Sequence, residues 1–225
     1  MGSPVRWHGV VLGVLLLLWV CPAQASDADP PGDVLRAAFG DANAILTDQG
    51  TAQHPADRLV AIRALFGRVF DFRGAAERSL GDQWQASSVA EQHEFTGLFT
   101  EFMQRGFVYW LASVADVDPN GAGVTVHFLN ESVDREAATV QIAVVGRGGR
   151  LIPLSHDLVY RDRRWMVRDV TIEGVSLVAN YRAQFERVIR ASSYPELIKR
   201  MRIRIATGLL LLEPMGRGGA GDPRR

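Results

Sequence analysis

Residues 165–185, WMVRDVTIEGVSLVANYRAQF, decide the fold class because they join two different patterns of apolar residues. The part from Trp165 to Ile172 predicts a β-strand. Beyond Gly174 the apolar side chains return at a helical spacing, and this stripe extends to Ile189. The stretch therefore predicts the last strand of a sheet, followed at once by a helix.

Three further strand patterns lie upstream of this stretch. Apolar and polar residues alternate over 124–128 and over 139–144, and apolar residues mark a third strand over 152–160. The connections between these strands are short: a glycine-rich segment over 146–149 and a tight polar turn over 161–163. Short connections predict an antiparallel meander of four strands.

Helical patterns flank the predicted sheet on both sides in the sequence. They precede it over 34–48 and 55–70, in a short segment ending near Gly81, and over 88–115, where Ser88 and Glu91 have capping-box spacing. They follow it over 178–189 and 193–212. The order predicts an α+β fold, in which N- and C-terminal helices cover a twisted four-stranded antiparallel sheet.

Residues 1–25 have the features of a secretory signal peptide. Arg6 supplies a positive charge, residues 10–20 form an apolar run of 11 residues, and Ala23-Gln24-Ala25 predicts cleavage before Ser26. The run is too short to span a bilayer as a helix, although a retained membrane anchor is the alternative interpretation. We therefore predict export, a mobile leader over 26–33, one domain over 34–212 and a disordered tail over 213–225.

The composition excludes several classes of protein. The 225 residues include 25 basic and 25 acidic side chains, with 47% apolar and 22% charged residues, which is typical of a globular protein. Balanced charge argues against a nucleic-acid-binding protein. Arg6 and Cys21 leave with the signal peptide, so the remaining chain has a net charge of −1 and no cysteine. Disulfide and thiol chemistry are then excluded.

Few side chains suggest catalysis or metal binding. The histidines outside the signal peptide, His54, His93, His127 and His156, lack metal-ligand spacing, and we predict neither a metal site nor a catalytic constellation. His127 and His156 lie in strand patterns and could share one face of the sheet. Asp71, between two phenylalanines, is a candidate acid, but a helix N-cap is the interpretation we favour.

Two further carboxylates are unusual because each interrupts the apolar end of a predicted strand. A catalytic pair of Asp169 and Glu173 is one interpretation. The other, which we favour, is that Asp169 pairs with Arg182 or with a backbone amide.

The helix predicted over 88–115 carries more aromatic bulk than one face of a sheet usually needs. A well-filled core is one explanation. The alternative is an apolar ligand enclosed between helices and sheet.

Three stretches resemble one known family. They are VFDF over 69–72 with LGDQW over 80–84, QHEFTGLF over 92–99, and, most specifically, the EGVSLVANYRAQF run within 165–185. Together they resemble the MlaC family, the toluene-tolerance auxiliary components of ABC transporters, over roughly residues 34–203.

This resemblance implies a periplasmic carrier that binds phospholipid as its cargo, needs no cofactor and catalyses no reaction. Family members shuttle lipid between an outer-membrane lipoprotein complex and an inner-membrane ABC transporter with an MCE-domain subunit, which maintains outer-membrane lipid asymmetry. The implied fold is related to the NTF2-like group, with acyl chains between sheet and helices. We expect a monomer.

Three alternatives stay open. The chain could be a hopanoid-associated member of the same family, or a protein-binding adaptor for a transporter. It could also be an NTF2-like enzyme acting on a small hydrophobic substrate, with Asp71, His127 or Asp169 as acid or base.

For a lipid carrier, we predict that acyl chains contact apolar residues of the long helix, the sheet and the helix that follows it. The predicted lipid-binding residues are Phe99, Phe102, Met103, Tyr109, Val144, Val167, Val178, Tyr181 and Phe185.

Two sets of basic residues have alternative interpretations. Arg182 either orients a lipid headgroup or holds Asp169, and we favour the second. Lys199, Arg200, Arg202 and Arg204 give the last helix a basic side, which either contacts anionic headgroups or an acidic partner, or is simply solvated.

Overall fold

The computed structural model describes residues 29–48, 50, 54–114 and 123–207. Within these ranges the chain forms seven α-helices, one 3₁₀ turn and five strands. In order they are α1 (Pro31–Thr47), α2 (Pro55–Val69), α3 (Phe72–Leu80), α4 (Asp82–Ala86), α5 (Val89–Val114), β1 (Val126–Asp134), β2 (Ala137–Val145), the 3₁₀ turn (Arg147–Gly149), β3 (Leu151–Arg161), β4 (Arg164–Ile172), β5 (Val175–Ser176), α6 (Leu177–Ala191) and α7 (Tyr194–Thr207).

Several predictions about the ends of the chain lie outside the described residues. These are the signal peptide over 1–25, the first part of the leader, the end of the last helix over 208–212 and the tail over 213–225. The leader was predicted to extend to Asp33, but α1 already begins at Pro31, whose side chain is buried. Proline is favoured in the first turn of a helix, because the amide hydrogen that it lacks has no helical partner there.

The sheet is an antiparallel meander in which the strand order follows the chain, β1-β2-β3-β4-β5. The α+β class and the antiparallel meander are therefore confirmed, but the sheet has five strands rather than the four predicted. The fifth, β5, has two residues and pairs with the end of β4 through Thr171–Ser176 and Ile172–Val175. A strand of two residues is too short to show an alternating pattern. The predicted relationship to the NTF2-like group stays a prediction.

Helix caps appear where the sequence predicts them. Asp71 is the N-cap of α3 and accepts a hydrogen bond from the Gly74 amide at 2.9 Å, which confirms the structural interpretation of this residue. Gly81 ends α3 with a φ of 60°, a conformation that glycine adopts without strain. Ser88 and Glu91 form the predicted capping box, with the Ser88 amide donating to Glu91 at 2.8 Å.

The junction between β4 and α6 is held by one buried carboxylate, that of Asp169. Its Oδ1 accepts from the amides of Val170 at 2.8 Å and Val178 at 3.1 Å, and its Oδ2 accepts from the Ser176 hydroxyl at 2.6 Å. Ser176 in turn caps α6 by accepting from the Ala179 amide. One side chain thereby fixes the end of the sheet, β5 and the first turn of α6.

These contacts confirm that Asp169 pairs with backbone amides, but the pairing with Arg182 is wrong. Arg182 lies on the exposed side of α6 and contacts Glu186 one turn later, with Nε 2.7 Å from Oε1. Because Asp169 is turned toward the N-terminus of α6, the Val178 amide and the Ser176 hydroxyl take the place of the cation. Glu173, the other candidate carboxylate, lies in the turn before β5. It forms an ion pair with Arg150, which precedes β3.

We predict that Asp169→Ala lowers the free energy of unfolding by about 3 kcal/mol, because it removes the acceptor from two buried amides and one hydroxyl. Urea unfolding followed by circular dichroism measures this loss. The control is Glu186→Gln, which disrupts the surface pair with Arg182 and should cost no more than about 0.5 kcal/mol. An equal effect of the two substitutions would contradict the role given to Asp169.

Candidate functional site

A large cavity lies between the helical hairpin α1–α2 and the inner face of the sheet. Its empty volume, counted to its open mouth, is about 700 Å³. The two helices contribute most of the wall, β3 and β4 contribute the floor, and α5 closes one side. The lining residues are Leu35, Ala38, Phe39, Ala42, Asn43, Leu46, Ile62, Leu65, Phe66, Val69, Phe70, Phe107, Val124, His156, Val167 and Val170.

The wall of this cavity is apolar because the two helices turn their apolar stripes toward it. On α1, Ala38 and Ala42 lie one turn apart and leave space where larger side chains would fill it. On α2, Ile62 and Leu65 are buried against the same space. The cavity therefore offers a surface suited to hydrocarbon and little that could recognise charge.

Asn43 is one of two polar side chains in the wall, and both ends of its amide are occupied. Its Nδ2 donates to the Val124 carbonyl at 2.8 Å, and its Oδ1 accepts from the Val124 amide at 2.7 Å. This pair of hydrogen bonds ties α1 to the chain just before β1. Asn43 thus has a structural role in the cavity wall.

His156 is the other polar side chain in the wall. It lies on β3 opposite Val140, on the inner face of the sheet, and its ring is perpendicular to that of Phe39 with 6.0 Å between the centroids. Burial lowers the pKa of His156 to about 4, although a backbone hydrogen bond with Val140 acts in the opposite direction. The imidazole is therefore neutral at neutral pH.

His127 does not share a face with His156, contrary to the hypothesis drawn from the sequence. His127 pairs with Ala143, which is three positions beyond Val140 on β2 and so points to the opposite face, and the His127 side chain is exposed. Successive residues of a strand point to opposite faces, so this register separates the two rings. A catalytic pair of these histidines is contradicted.

Four of the predicted lipid-binding residues meet in an aromatic cluster between α5 and α6. Phe99, Phe102 and Phe185 surround Tyr181 with centroid distances of 5.8, 5.6 and 5.8 Å, and Phe95 packs edge-on against Phe185 at 5.6 Å. All of these rings are buried, and burial raises the pKa of Tyr181. In the structure these side chains contact one another, and their contact with lipid stays a prediction.

The other predicted lipid-binding residues are spread around the core. Val167 lines the large cavity, and Met103 lines two smaller ones of about 250 and 260 Å³, of which the first is also lined by Tyr181. Val144 and Val178 are buried. Tyr109 belongs to α5, but its side chain is outside the described part of the structure.

The sequence analysis missed the cavity residues of α1 and α2. Phe39, Ile62 and Leu65 fall within the helical patterns predicted over 34–48 and 55–70, but an apolar stripe indicates only that one face of a helix is covered. The alanines at 38 and 42 were the available signal, because small residues on an apolar face leave space unless the opposite surface fills it.

The basic side of α7 is partly paired in the structure. Lys199 and Arg200 contact Glu196 at 3.7 and 2.9 Å, and Arg202 contacts Glu94 of α5. Contact of this side with anionic headgroups or an acidic partner stays a prediction.

The described residues provide neither a metal-binding cluster nor a helix that could cross a membrane. No group of three or more His, Cys, Asp or Glu side chains in these ranges is arranged to hold a metal ion. None of the helices placed there is both long and apolar enough to span a membrane.

Comparison with known proteins gives the family. A family model described as MlaC protein matches residues 37–203, close to the range over which the sequence motifs show their resemblance. The chain belongs to the MlaC family. It is 25% identical over 177 residues to a protein from Pseudomonas putida, toluene tolerance protein ttg2D, with 77% of this chain and 79% of that protein covered.

The fold of this chain is similar to that of a solved structure. That structure is the phospholipid-binding protein from Ralstonia solanacearum in complex with a phospholipid, and it matches this member of the MlaC family with a TM-score of 0.68. The match covers 80% of this chain and 98% of that one, at 19% sequence identity. The likeness supports the helix and sheet arrangement described above.

We predict that the neutral, buried state of His156 makes stability depend on pH. In the unfolded chain a histidine takes up a proton below about pH 6.5, whereas the folded His156 resists protonation until about pH 4, so unfolding is favoured as the pH falls between these values. The loss attributable to His156 should reach up to about 3 kcal/mol near pH 4.

The measurement is the free energy of unfolding in urea from pH 7 to pH 4, for the wild type and for His156→Leu. His156→Leu should make the free energy of unfolding less dependent on pH. His127→Leu, on the exposed outer face, should leave the pH dependence as in the wild type. Parallel curves for wild type and His156→Leu would contradict the prediction.

Proposed function

We propose that this protein is a periplasmic lipid carrier that holds phospholipid acyl chains in the cavity between α1, α2 and the sheet. The observation that carries the proposal is this cavity of about 700 Å³ with an almost wholly apolar wall, in a member of the MlaC family. A phospholipid bound to a protein of similar fold supports it.

The energetics of lipid transfer explain why such a carrier encloses the chains. A two-chain phospholipid has on the order of 30 methylene groups, and exposing them to water costs on the order of 25 kcal/mol at about 0.8 kcal/mol each. Lipid therefore does not cross an aqueous gap unaided at a useful rate. A carrier must cover the chains, and its cavity needs apolar area more than headgroup chemistry.

The smaller cavities give a way to accommodate longer chains. Phe107 lines the large cavity and both smaller ones, and its ring lies 4.4 Å from that of Phe66, centroid to centroid. A rotation of Phe107 would open the large cavity toward Met103 and Tyr181. The predicted contacts of these two residues with lipid would then follow from one side-chain movement.

The proposed location and partners follow from the family resemblance and the N-terminal sequence. The signal-peptide features of residues 1–25 support export to the periplasm. There the carrier would exchange lipid with an outer-membrane lipoprotein complex and with the MCE-domain subunit of an inner-membrane ABC transporter, and so maintain lipid asymmetry.

We propose binding without a chemical reaction. Two of the residues considered as acids have structural roles: Asp71 caps α3, and Asp169 accepts three hydrogen bonds at the junction between β4 and α6. Their oxygens are engaged in holding helices, which supports a carrier over an NTF2-like enzyme.

We predict that the protein purified from a Gram-negative host carries lipid in near-stoichiometric amount. Organic extraction followed by mass spectrometry identifies the cargo and separates phospholipid from hopanoid. Protein that is folded by circular dichroism, yet yields no lipid and takes up none from phospholipid vesicles, would overturn the proposal.

We also predict that Ala42→Phe blocks uptake of a fluorescent phospholipid from vesicles. The added ring occupies the cavity beside α1, and crowding of this kind should weaken binding by about tenfold or more.

The matched control is Ala44→Phe, on the exposed side of the same helix. It adds the same ring without entering the cavity and should leave uptake unchanged. Equal uptake by the two variants would place the binding site elsewhere.

A further inference from the structure

The outward side of α7 is a basic surface. The helix contains four basic residues and one acidic residue, Glu196, which gives it a net charge of +3 in a chain with 25 basic and 25 acidic residues. The side chains of Lys199, Arg200 and Arg202 are 69, 50 and 64% exposed. Positive charge is therefore concentrated on one exposed helix, although the composition of the chain is balanced.

Two carboxylates pair with three cations of this surface. Glu196 is shared by Lys199 and Arg200, and Arg202 pairs with Glu94 of α5. Exposed ion pairs of this kind contribute little to stability, because water competes for both partners. The cations can therefore exchange these carboxylates for other anions at a low cost.

An exposed apolar side chain lies in the middle of the basic surface. Ile203 is 50% exposed, follows Arg202 directly and lies one turn beyond Lys199 on the same face of α7. The opposite face of the helix is held to the core by Met201, which is fully buried. Ile203 is thus turned outward. Just beyond the described end of the helix, the sequence continues with four leucines at 209–212.

Positive charge around an apolar centre fits the surface of an anionic bilayer. The lipid headgroups attract lysine and arginine side chains, and the boundary of the acyl chains accepts an apolar side chain between them. An acidic protein surface would pair with the cations but would leave Ile203 against charged groups. The combination therefore favours a lipid surface over an acidic protein.

We propose that α7 is a docking surface for anionic membranes, in which Lys199, Arg200 and Arg202 contact the headgroups and Ile203 enters the acyl boundary. None of these side chains lines a cavity described above. The inference therefore goes beyond the cargo proposed for this protein, and it can fail while the carrier function stands. Docking of this kind keeps a carrier close to a membrane surface.

The test is co-sedimentation with vesicles of phosphatidylcholine alone or of phosphatidylcholine mixed with phosphatidylglycerol. The protein is purified from the periplasm of a Gram-negative host, and only protein whose mass lacks residues 1–25 is used, because their apolar run could itself bind lipid. The wild type should bind the anionic vesicles about tenfold more tightly than the neutral ones, and added salt should reduce this preference.

A pair of charge substitutions tests the basic side chains. Lys199→Gln combined with Arg200→Gln should weaken binding to the anionic vesicles about fivefold or more, because two cations no longer contact headgroups. The matched control is Arg163→Gln combined with Arg164→Gln, an exposed pair at the turn between β3 and β4. It removes the same charge from the chain and should leave binding unchanged.

A second pair of variants tests the apolar contact. Ile203→Asn should weaken binding to the anionic vesicles about threefold or more, because the apolar side chain no longer enters the acyl boundary. The control is Val60→Asn on α2, which removes a side chain that is 64% exposed and should have no effect. Circular dichroism verifies that each variant is folded.

Three outcomes would overturn the inference. They are equal binding to neutral and anionic vesicles, unchanged binding by the Lys199 and Arg200 variant, and an equal loss in the Arg163 and Arg164 control. Binding to polyglutamate without binding to anionic vesicles would also overturn it, and would assign the basic surface to an acidic protein. The carrier function is tested separately, by the lipid content of the purified protein.

Discussion

The apolar inner face of the sheet must be covered by helices. Two groups of helices cover two parts of this face, and the rest of the structure depends on how completely each group fills the space above the sheet. Val140, Ile142 and Leu158 are buried on this face. Over one part of it, α5 and α6 pack against each other through the aromatic cluster of Tyr181, beside cavities that are much smaller. Over the other part, α1 and α2 cover the sheet without filling the space beneath them. The same constraint thus produces a packed core and a cavity side by side.

The packed part is anchored by the Asp169 carboxylate. The carboxylate accepts hydrogen bonds from one amide in β4 and one at the start of α6. These bonds fix the position of α6 relative to the sheet. Phe185 and Tyr181 are placed by the first turns of that helix. A fixed core of this kind allows the neighbouring wall to be less completely packed without loss of the fold.

Local features could be predicted from the sequence because the residues that form them are close together in the chain. The cap at Asp71, the box of Ser88 and Glu91, and the meander all follow from patterns a few residues long. Which of the two predicted partners Asp169 contacts, Arg182 or a backbone amide, could not be decided in this way, because it depends on how β5 turns the chain toward α6. The cavity could not be predicted either. Phe39 and Phe99 both belong to apolar stripes with clear helical spacing. Only the surface opposite each stripe decides whether its side chains pack against others or line a cavity.

The division between the two parts also bears on how this protein can change in evolution. The helices α1 and α2 contribute no strand to the sheet and no residue to the Asp169 junction. Substitutions at Ala38, Ala42 or Ile62 therefore alter the shape of the cavity while the folding core keeps its own contacts. Related chains with the same framework can diverge in what they carry, at a low cost in stability, through a small number of changes confined to the first two helices.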